Sequence, residues 1–251
     1  MGSYADHFSA LAHDYAARRP HYPEGLFDYL SSVCRRRELA WDCAAGSGQA
    51  TIPLARHFRR VIATDASQAM LAQAPSHPNV EYRVMPAESS GLASASADLV
   101  TVAQALHWLE PGEFYQEADR VLAPGGVLAV WTYGTQTVEN DTVNRVLQVF
   151  YADVVGPYWA PERRHVESGY RTLPFPYMEL VPPAFTMEEE WTLNELLGYV
   201  GTWSATQKFR EVNHRDPVAD LARDLTPEWG NLAVARRVRW PLSLRLGMKP
   251  T

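Results

Sequence analysis

The residues able to do chemistry gather around one short stretch, WDCAAGSGQAT at residues 41–51, and one later aspartate. Gly46-Ser47-Gly48 can turn tightly and let backbone approach a ligand at the start of a helix. Asp42 stands four residues before Gly46, where its charge would repel a pyrophosphate and attract a cation; a plain helix cap is its other reading. Thr51 occupies the third position of a dinucleotide fingerprint, and no Lys-Ser or Lys-Thr follows, so the phosphate-gripping patterns are absent. Asp65 comes 23 residues after Asp42, the spacing of a carboxylate that accepts both ribose hydroxyls. A cationic amino acid joined to a ribose, without phosphate, satisfies both aspartates. S-adenosylmethionine is such a molecule.

Positioning these residues requires a sheet. Between residues 38 and 133 short β-branched runs alternate with helical stretches, the pattern of a parallel sheet built from βαβ units. Strands are predicted at 39–43, 61–64, 80–85, 97–102 and 127–132, with helices at 49–57, 67–73 and 111–122, the last closed by Ala-Pro-Gly-Gly. Right-handed crossovers make this a doubly wound α/β core. Asp42 and Asp65 then end the first and second strands, beside the switch point where such sheets bind ligands.

Two regions depart from the alternation. At the N-terminus an amphipathic stretch, 4–17, is followed by RPHYP and a helix over 24–36. After Tyr133 the pattern predicts a helix at 139–154, a proline and aromatic loop at 156–176, a strand at 177–185 and a helical block at 193–225 broken near Trp203. A strand-like tail over 237–246 should pair with the 177–185 strand as an antiparallel edge, where Pro241 is tolerated. The whole is expected to be one structural unit: a helical lid (1–37), a cofactor-binding core (38–135), and a segment (136–251) that completes a seven-stranded, mostly parallel sheet and caps its carboxyl edge.

The motifs also resemble a known family. Asp42 to Gly48, Thr64-Asp65-Ala66-Ser67-Gln68-Ala69-Met70, Ala87-Glu88 and Arg120 to Gly126 are similar, in order, to four motifs of class I S-adenosylmethionine-dependent methyltransferases. YAARRPHYP at 15–23, QALHW at 104–108 and TWSA at 202–205 resemble the methyltransferase type 11 branch that includes trans-aconitate methyltransferase-like proteins. The resemblance implies a Rossmann-like fold with the Gly46 to Gly48 backbone against the methionine part, and Ala44 and Ala66 in the same two motifs. Asp65 would hold the ribose, Met70 pack on adenine, Ala87 and Glu88 approach the adenine amino group, and Gln104 face the cofactor.

A carboxylate acceptor would need no general base, whereas a phenol, hydroxyl or amine would. His107 is the candidate base, since imidazole titrates near neutrality; a histidine satisfied at a helix N-terminus is the alternative. Tyr22, Trp108, Trp131, Tyr133 and Trp203 could wall an acceptor pocket, with Tyr4, Phe8 and Tyr15 from the lid. Arg18, Arg19, Lys208 and Arg210 could pair with an acidic acceptor. No Asn-Pro-Pro-Tyr motif follows the fourth strand, which speaks against a nucleobase or glutamine amide as acceptor.

Composition narrows the field further. The chain of 251 residues is 46% hydrophobic, enough to bury a large core. A net charge of −6, with the basic residues spread along the chain, argues against nucleic acid as a partner. No apolar run approaches a membrane span, and two cysteines without a signal peptide suit the cytoplasm. The expected activity is methyl transfer to a small molecule, at a carboxylate or hydroxyl oxygen. A nicotinamide-dependent oxidoreductase is disfavoured by Asp42, Thr51 and the lack of a Tyr-x-x-x-Lys pair. A non-catalytic protein keeping the cofactor fold to bind a partner is the rival outside enzymes.

Overall fold

The computed structural model describes residues 19–251. Helix α1 (Glu24–Val33) leads into β1 (Leu39–Cys43), α2 (Thr51–Ala55), β2 (Arg60–Asp65), α3 (Gln68–Leu71) and β3 (Val80–Val84). Strand β4 (Ala97–Ala103), α4 (Pro111–Val121) and β5 (Leu122–Tyr133) complete the expected core. The strands run in the order β3-β2-β1-β4-β5, all parallel. The order reverses between β1 and β4, so the loops leaving their carboxyl ends diverge and open a crevice.

Central strands buried on both faces read as unbroken apolar runs, and β4, Ala97–Ala103, is buried along nearly its whole length. Successive side chains serve opposite faces. Ala40, Leu99 and Ala129 join the core beneath α1 and α2, while Trp41, Val100 and Val130 join the one beneath α4. Sequence signals placed the helix starts well. Ser67 caps α3 by accepting the Met70 amide at 3.3 Å, and Pro111 opens α4, where its missing N–H costs nothing.

The remainder comprises β6 (Thr137–Val138), α5 (Asp141–Val149), α6 (Arg163–Glu167), β7 (Glu179–Leu180), β8 (Phe185–Trp191), α7 (Leu193–Gly201), α8 (Ser204–Asn213), α9 (Pro217–Trp229) and β9 (Arg236–Met248). Here the structure corrects the expected layout. The 177–185 strand is only the two-residue β7, because Pro182 and Pro183 remove consecutive donors. The true strand, β8, reads FTMEEEW and was hidden by its charge. Its glutamates meet arginines across the ladder, Glu188 to Arg239 at 2.7 Å and Glu190 to Arg237 at 3.0 Å, while Met187 is fully buried.

The tail does pair antiparallel with the 177–185 segment as expected, Glu179 with Gly247 and Leu180 with Leu246, but it is not itself an edge. Strand β9 lies antiparallel beside β5, carries β7 and β8 on its other side, and also pairs β6 at Arg239 and Val238. Pro241 is tolerated because β5 pairing begins at Leu242 and β6 pairing ends at Arg239, so no ladder bond is needed there on that side. Seven strands form the main path, and β7 and β8 bring the described total to nine. The helical block breaks at Trp203 as read, and again at left-handed His214, φ 53°.

Candidate functional site

The glycine loop between β1 and α2 is held from below by Asp42. This carboxylate is fully buried, accepting the Thr51 hydroxyl at 2.6 Å and the Thr101 hydroxyl at 2.8 Å. It does not line the crevice, so the reading of Asp42 as the direct partner of a ligand cation is corrected. Burial pushes its carboxyl up to about 6, against the lowering effect of the two hydroxyls, with nearby Asp65 adding to the rise. The threonine that replaces the third fingerprint glycine therefore contributes to the loop's anchorage, because its hydroxyl ties the helix to the strand.

Above the loop lies a cavity lined by Gly46, Asp65, Ala66, Met70, Ala87 and Gln104, with Ala44 at the strand end and Tyr22, Trp108 and Tyr133 closing it. Asp65 accepts the Gly46 amide and the Ser67 amide, both at 2.8 Å, so the second strand's carboxylate also shapes the first strand's loop. Burial raises its pKa, and the two amides oppose that rise. Gly46 is left-handed, φ +56°, and a Cβ there would meet the Met70 methyl at 3.3 Å. Ala44 takes a similar conformation at φ 54°, which disfavours any side chain.

Gln104 ends β4 in the left-handed region, φ 56°. Its amide is pinned: the oxygen accepts the Thr132 hydroxyl at 2.6 Å and the Tyr133 amide at 2.9 Å, and the nitrogen donates to the Tyr133 carbonyl at 3.2 Å. Gln104, Trp108 and Tyr133 form a wall shared with a second cavity. That cavity also receives Arg19, His107, Trp159, Arg163, Tyr199 and Trp203. Arg19 donates to the Tyr133 hydroxyl at 3.2 Å and the Thr202 carbonyl at 3.3 Å. Arg163 lies over the Trp159 ring, 4.6 Å from its centroid, and donates to the Tyr151 hydroxyl at 3.0 Å.

His107 contacts the Tyr170 hydroxyl through Nδ1 at 2.9 Å. Burial, reinforced by the Arg163 charge and then His165, pushes its pKa down to about 3. A conjugate acid so weakly held makes a poor proton acceptor at neutral pH. This lowering disfavours the base role for His107 and leaves it as a polar lining residue of the second cavity.

Other expected residues fall elsewhere. Gly48 is left-handed but packs against Tyr82 and Ala74 rather than the cavity. Glu88 is exposed and lines neither cavity, while its neighbour Ala87 does. Trp131 is core, edge-on to Tyr22 at 5.6 Å. Lys208 pairs with exposed Glu211, and Arg210 with Asp216 and the Gly201 carbonyl. Tyr4, Phe8, Tyr15 and Arg18 lie outside the described residues. Sequence reading missed Gln49, Met85, Trp159 and Arg163. Met85 was within reach, two residues before the Ala87 motif; Trp159 lies in an irregular loop and Arg163 opens the short α6, a region that no periodicity marks.

Among the described residues no cluster could hold a metal ion and no helix is long and apolar enough to cross a membrane. A parallel sheet with this loop, an aspartate ending the second strand and no phosphate grip defines the class I S-adenosylmethionine-dependent methyltransferases. The chain belongs to this family. A family model described as a methyltransferase domain matches residues 41–130. A protein of Dictyostelium discoideum named as a methyltransferase is 34% identical over 223 residues, covering 88% of this chain and 85% of that one. One of Saccharomyces cerevisiae, named as an S-adenosylmethionine-dependent methyltransferase, is 27% identical over 81% of this chain and 82% of its own. A solved structure from Anaeromyxobacter dehalogenans, described as a type II methyltransferase, is 45% identical with a TM-score of 0.87, covering 93% of this chain and 99% of that one. The protein is therefore a methyltransferase and S-adenosylmethionine its cofactor. The site fits it: the Gly46 cradle, the Met70 thioether above it and the Asp65 carboxylate share one cavity.

Proposed function

We propose that this enzyme methylates a small organic acid at a carboxylate oxygen, with the acceptor in the second cavity. The carrying observation is the pairing there of two guanidinium groups, Arg19 and Arg163, with a histidine whose pKa is pushed down to about 3. Such a cavity attracts an anion and offers no effective base. A carboxylate meets both conditions, because it arrives already ionised and can be methylated without losing a proton.

When bound, the cofactor supplies an electrophilic methyl on a sulfonium, so the acceptor oxygen bonds to that carbon as the carbon–sulfur pair returns to sulfur. The chain's own residues bind, align and exclude water. Asp65 accepts the ribose hydroxyls, Met70, Met85 and Ala87 enclose the adenine, and the Gly46 backbone adjoins the methionine part. Gln104, locked by its hydrogen bonds to Thr132 and Tyr133, holds the strand end between the two cavities. Tyr22, Trp108, Tyr133 and Trp203 wall the reacting groups, and Arg19 and Arg163 orient the acid by directional donors.

Residues 19–23, just before α1, act as part of a lid on this reading. Arg19 reaches the second cavity and Tyr22 the first, and the His21 amide and ring bond to Glu189 at 2.9 Å. Free, buried Cys34 and Cys43 support the cytoplasm as its compartment, and the acidic net charge supports a small-molecule acceptor over nucleic acid.

The test is an acceptor screen by mass with purified enzyme, S-adenosylmethionine and panels of carboxylic acids, phenols and amines. Acids should gain 14 mass units, one CH2, in a product that mild alkali reverses, since an ester hydrolyses and an ether or methylamine does not. Turnover of phenols or amines alone would overturn the carboxylate assignment.

A further inference from the structure

Tyr170 is fully buried, and its phenol is the hydrogen-bond partner of His107, which lines the second cavity. It follows α6 in the left-handed region, φ 63°, a conformation that side chains disfavour. Contacts on both sides hold it there. Its amide donates to the His165 carbonyl at 2.7 Å, and its carbonyl accepts Arg245 Nη1 at 2.6 Å and the Leu173 amide at 3.1 Å. Arg245 is itself fixed by Glu179 at 2.7 Å and lies over the Phe175 ring, 4.9 Å from its centroid. Strand β9 thus clamps the turn that carries the phenol.

The phenol meets the His107 ring at Nδ1, 2.9 Å away. The Thr132 hydroxyl and the Leu106 and His107 amides also adjoin its oxygen. The Thr132 hydrogen is already taken, because it goes to Gln104 Oε1 at 2.6 Å, an oxygen that can only accept. The two amides can only donate. The phenol's own hydrogen is then directed to Nδ1, since an imidazole nitrogen is more basic than a threonine hydroxyl. A neutral imidazole carries one N–H, so a hydrogen received at Nδ1 leaves the ring's own hydrogen on Nε2. Among the described residues Nε2 has no hydrogen-bond partner, and it is not closed off from solvent. The ring shares its cavity with Arg19 and Arg163. What it offers a ligand there turns on the tautomer: Nε2–H donates to a carboxylate, whereas a bare Nε2 lone pair repels one.

We propose that Tyr170 is a positioning residue for the acceptor site: its phenol holds His107 as the Nε2–H tautomer, so that the ring presents a neutral donor to the acid's carboxylate beside the two arginines. This rests on the carboxylate reading above and gives His107 a role that needs no proton transfer.

Long-range proton–nitrogen NMR correlation on the nitrogen-labelled full chain reads the tautomer directly. Wild-type His107 should show a protonated Nε2 and an unprotonated Nδ1, and Tyr170→Phe should change the Nδ1 signal and mix the two tautomers. Acetate is the carboxylate probe, titrated with S-adenosylhomocysteine bound. It should shift the Nε2 signal and bind Tyr170→Phe roughly three- to tenfold more weakly, the scale of one neutral hydrogen bond. S-adenosylhomocysteine should bind this variant as it binds the wild type, which reports an intact fold. His107→Gln carries a carboxamide near the Nε2 position and has no tautomer to choose, so adding Tyr170→Phe to it should cost no further acetate affinity. A protonated Nδ1 in the wild type, an unchanged spectrum in Tyr170→Phe, or an equal further loss in the His107→Gln background would each overturn the proposal. A wild type with the stated tautomer that did not bind acetate would instead overturn the carboxylate reading on which it rests.

Discussion

The Thr51 hydroxyl donates to the Asp42 carboxylate at 2.6 Å inside the core, so strand β1 and helix α2 are clasped directly beneath the cofactor loop. Neither residue touches the cavity, yet together they hold the turn that does. The raised pKa of Asp42 shows that this clasp is made against a burial penalty. Its folded value of about 6 exceeds the ordinary carboxylate value of about 4. The folded state thus binds the proton more tightly, and Asp42's contribution to stability falls as pH rises from about 4 through 6. Thr51→Val leaves an oxygen of Asp42 unpaired, which should cost about 1–3 kcal/mol. Urea unfolding should show a larger loss at pH 8, with Asp42 ionised, than at pH 5; equal losses would mean the carboxylate does not feel the hydroxyl.

Asp65 is predicted to act twice, on the ligand and on the loop. Asp65→Ala removes the acceptor for Gly46 and Ser67 together with that for the ribose. Cofactor affinity should drop by roughly 1–3 kcal/mol in a calorimetric titration. Unchanged affinity would remove the ribose role.

His107 should be silent as a titrating base. Its folded pKa of about 3 lies below the ordinary value near 6.5, so the fold favours the neutral ring. The stability that follows is complete above pH 6.5 and is lost as pH falls from there toward 3, with a slope approaching about 1.4 kcal/mol per pH unit from this group. The ring's proton NMR signals should not move between pH 5 and 8, and His107→Gln should flatten the acid limb of stability. A ring titrating near 6.5 would restore the base role.

Arg163 is placed to select the acceptor by charge. Arg163→Ala should raise KM for an acidic acceptor by roughly 10- to 100-fold, the value of a charge-assisted pair in a partly dry site, with cofactor affinity unchanged. Arg163→Lys should recover little, because an ammonium cannot stack flat on Trp159 as a guanidinium does. A rise in cofactor Kd equal to the rise in KM would show that Arg163 merely supports the wall.

Strand periodicity, the Asp42 to Gly48 loop and Asp65 were all legible in the chain itself. They depend on local rules: alternation on a pleated strand, caps and glycine turns, and a fixed spacing across one βαβ unit. Those rules yielded the parallel core, the cofactor and the ends of β1, β2 and β4. They failed where neighbours decide. FTMEEEW looked too charged for a strand until β9 supplied arginines opposite its glutamates, and the expected pairing of the tail with the 177–185 stretch shrank to the two residues of β7 while β8 covered the rest of that side.

The same division runs through the site. The sequence alone singled out the loop and the carboxylate proposed to hold the nucleoside, because both lie at strand ends within one unit. Only the tertiary structure decided that Asp42 turns inward to two hydroxyls, that Glu88 faces solvent, that His107 is kept neutral by burial beside Arg163, and that Trp159 and Arg163 join Arg19 around one cavity. Which way a side chain faces, and what dielectric surrounds it, depends on contacts between residues from separate elements, many of them far apart along the chain, and no local pattern records them.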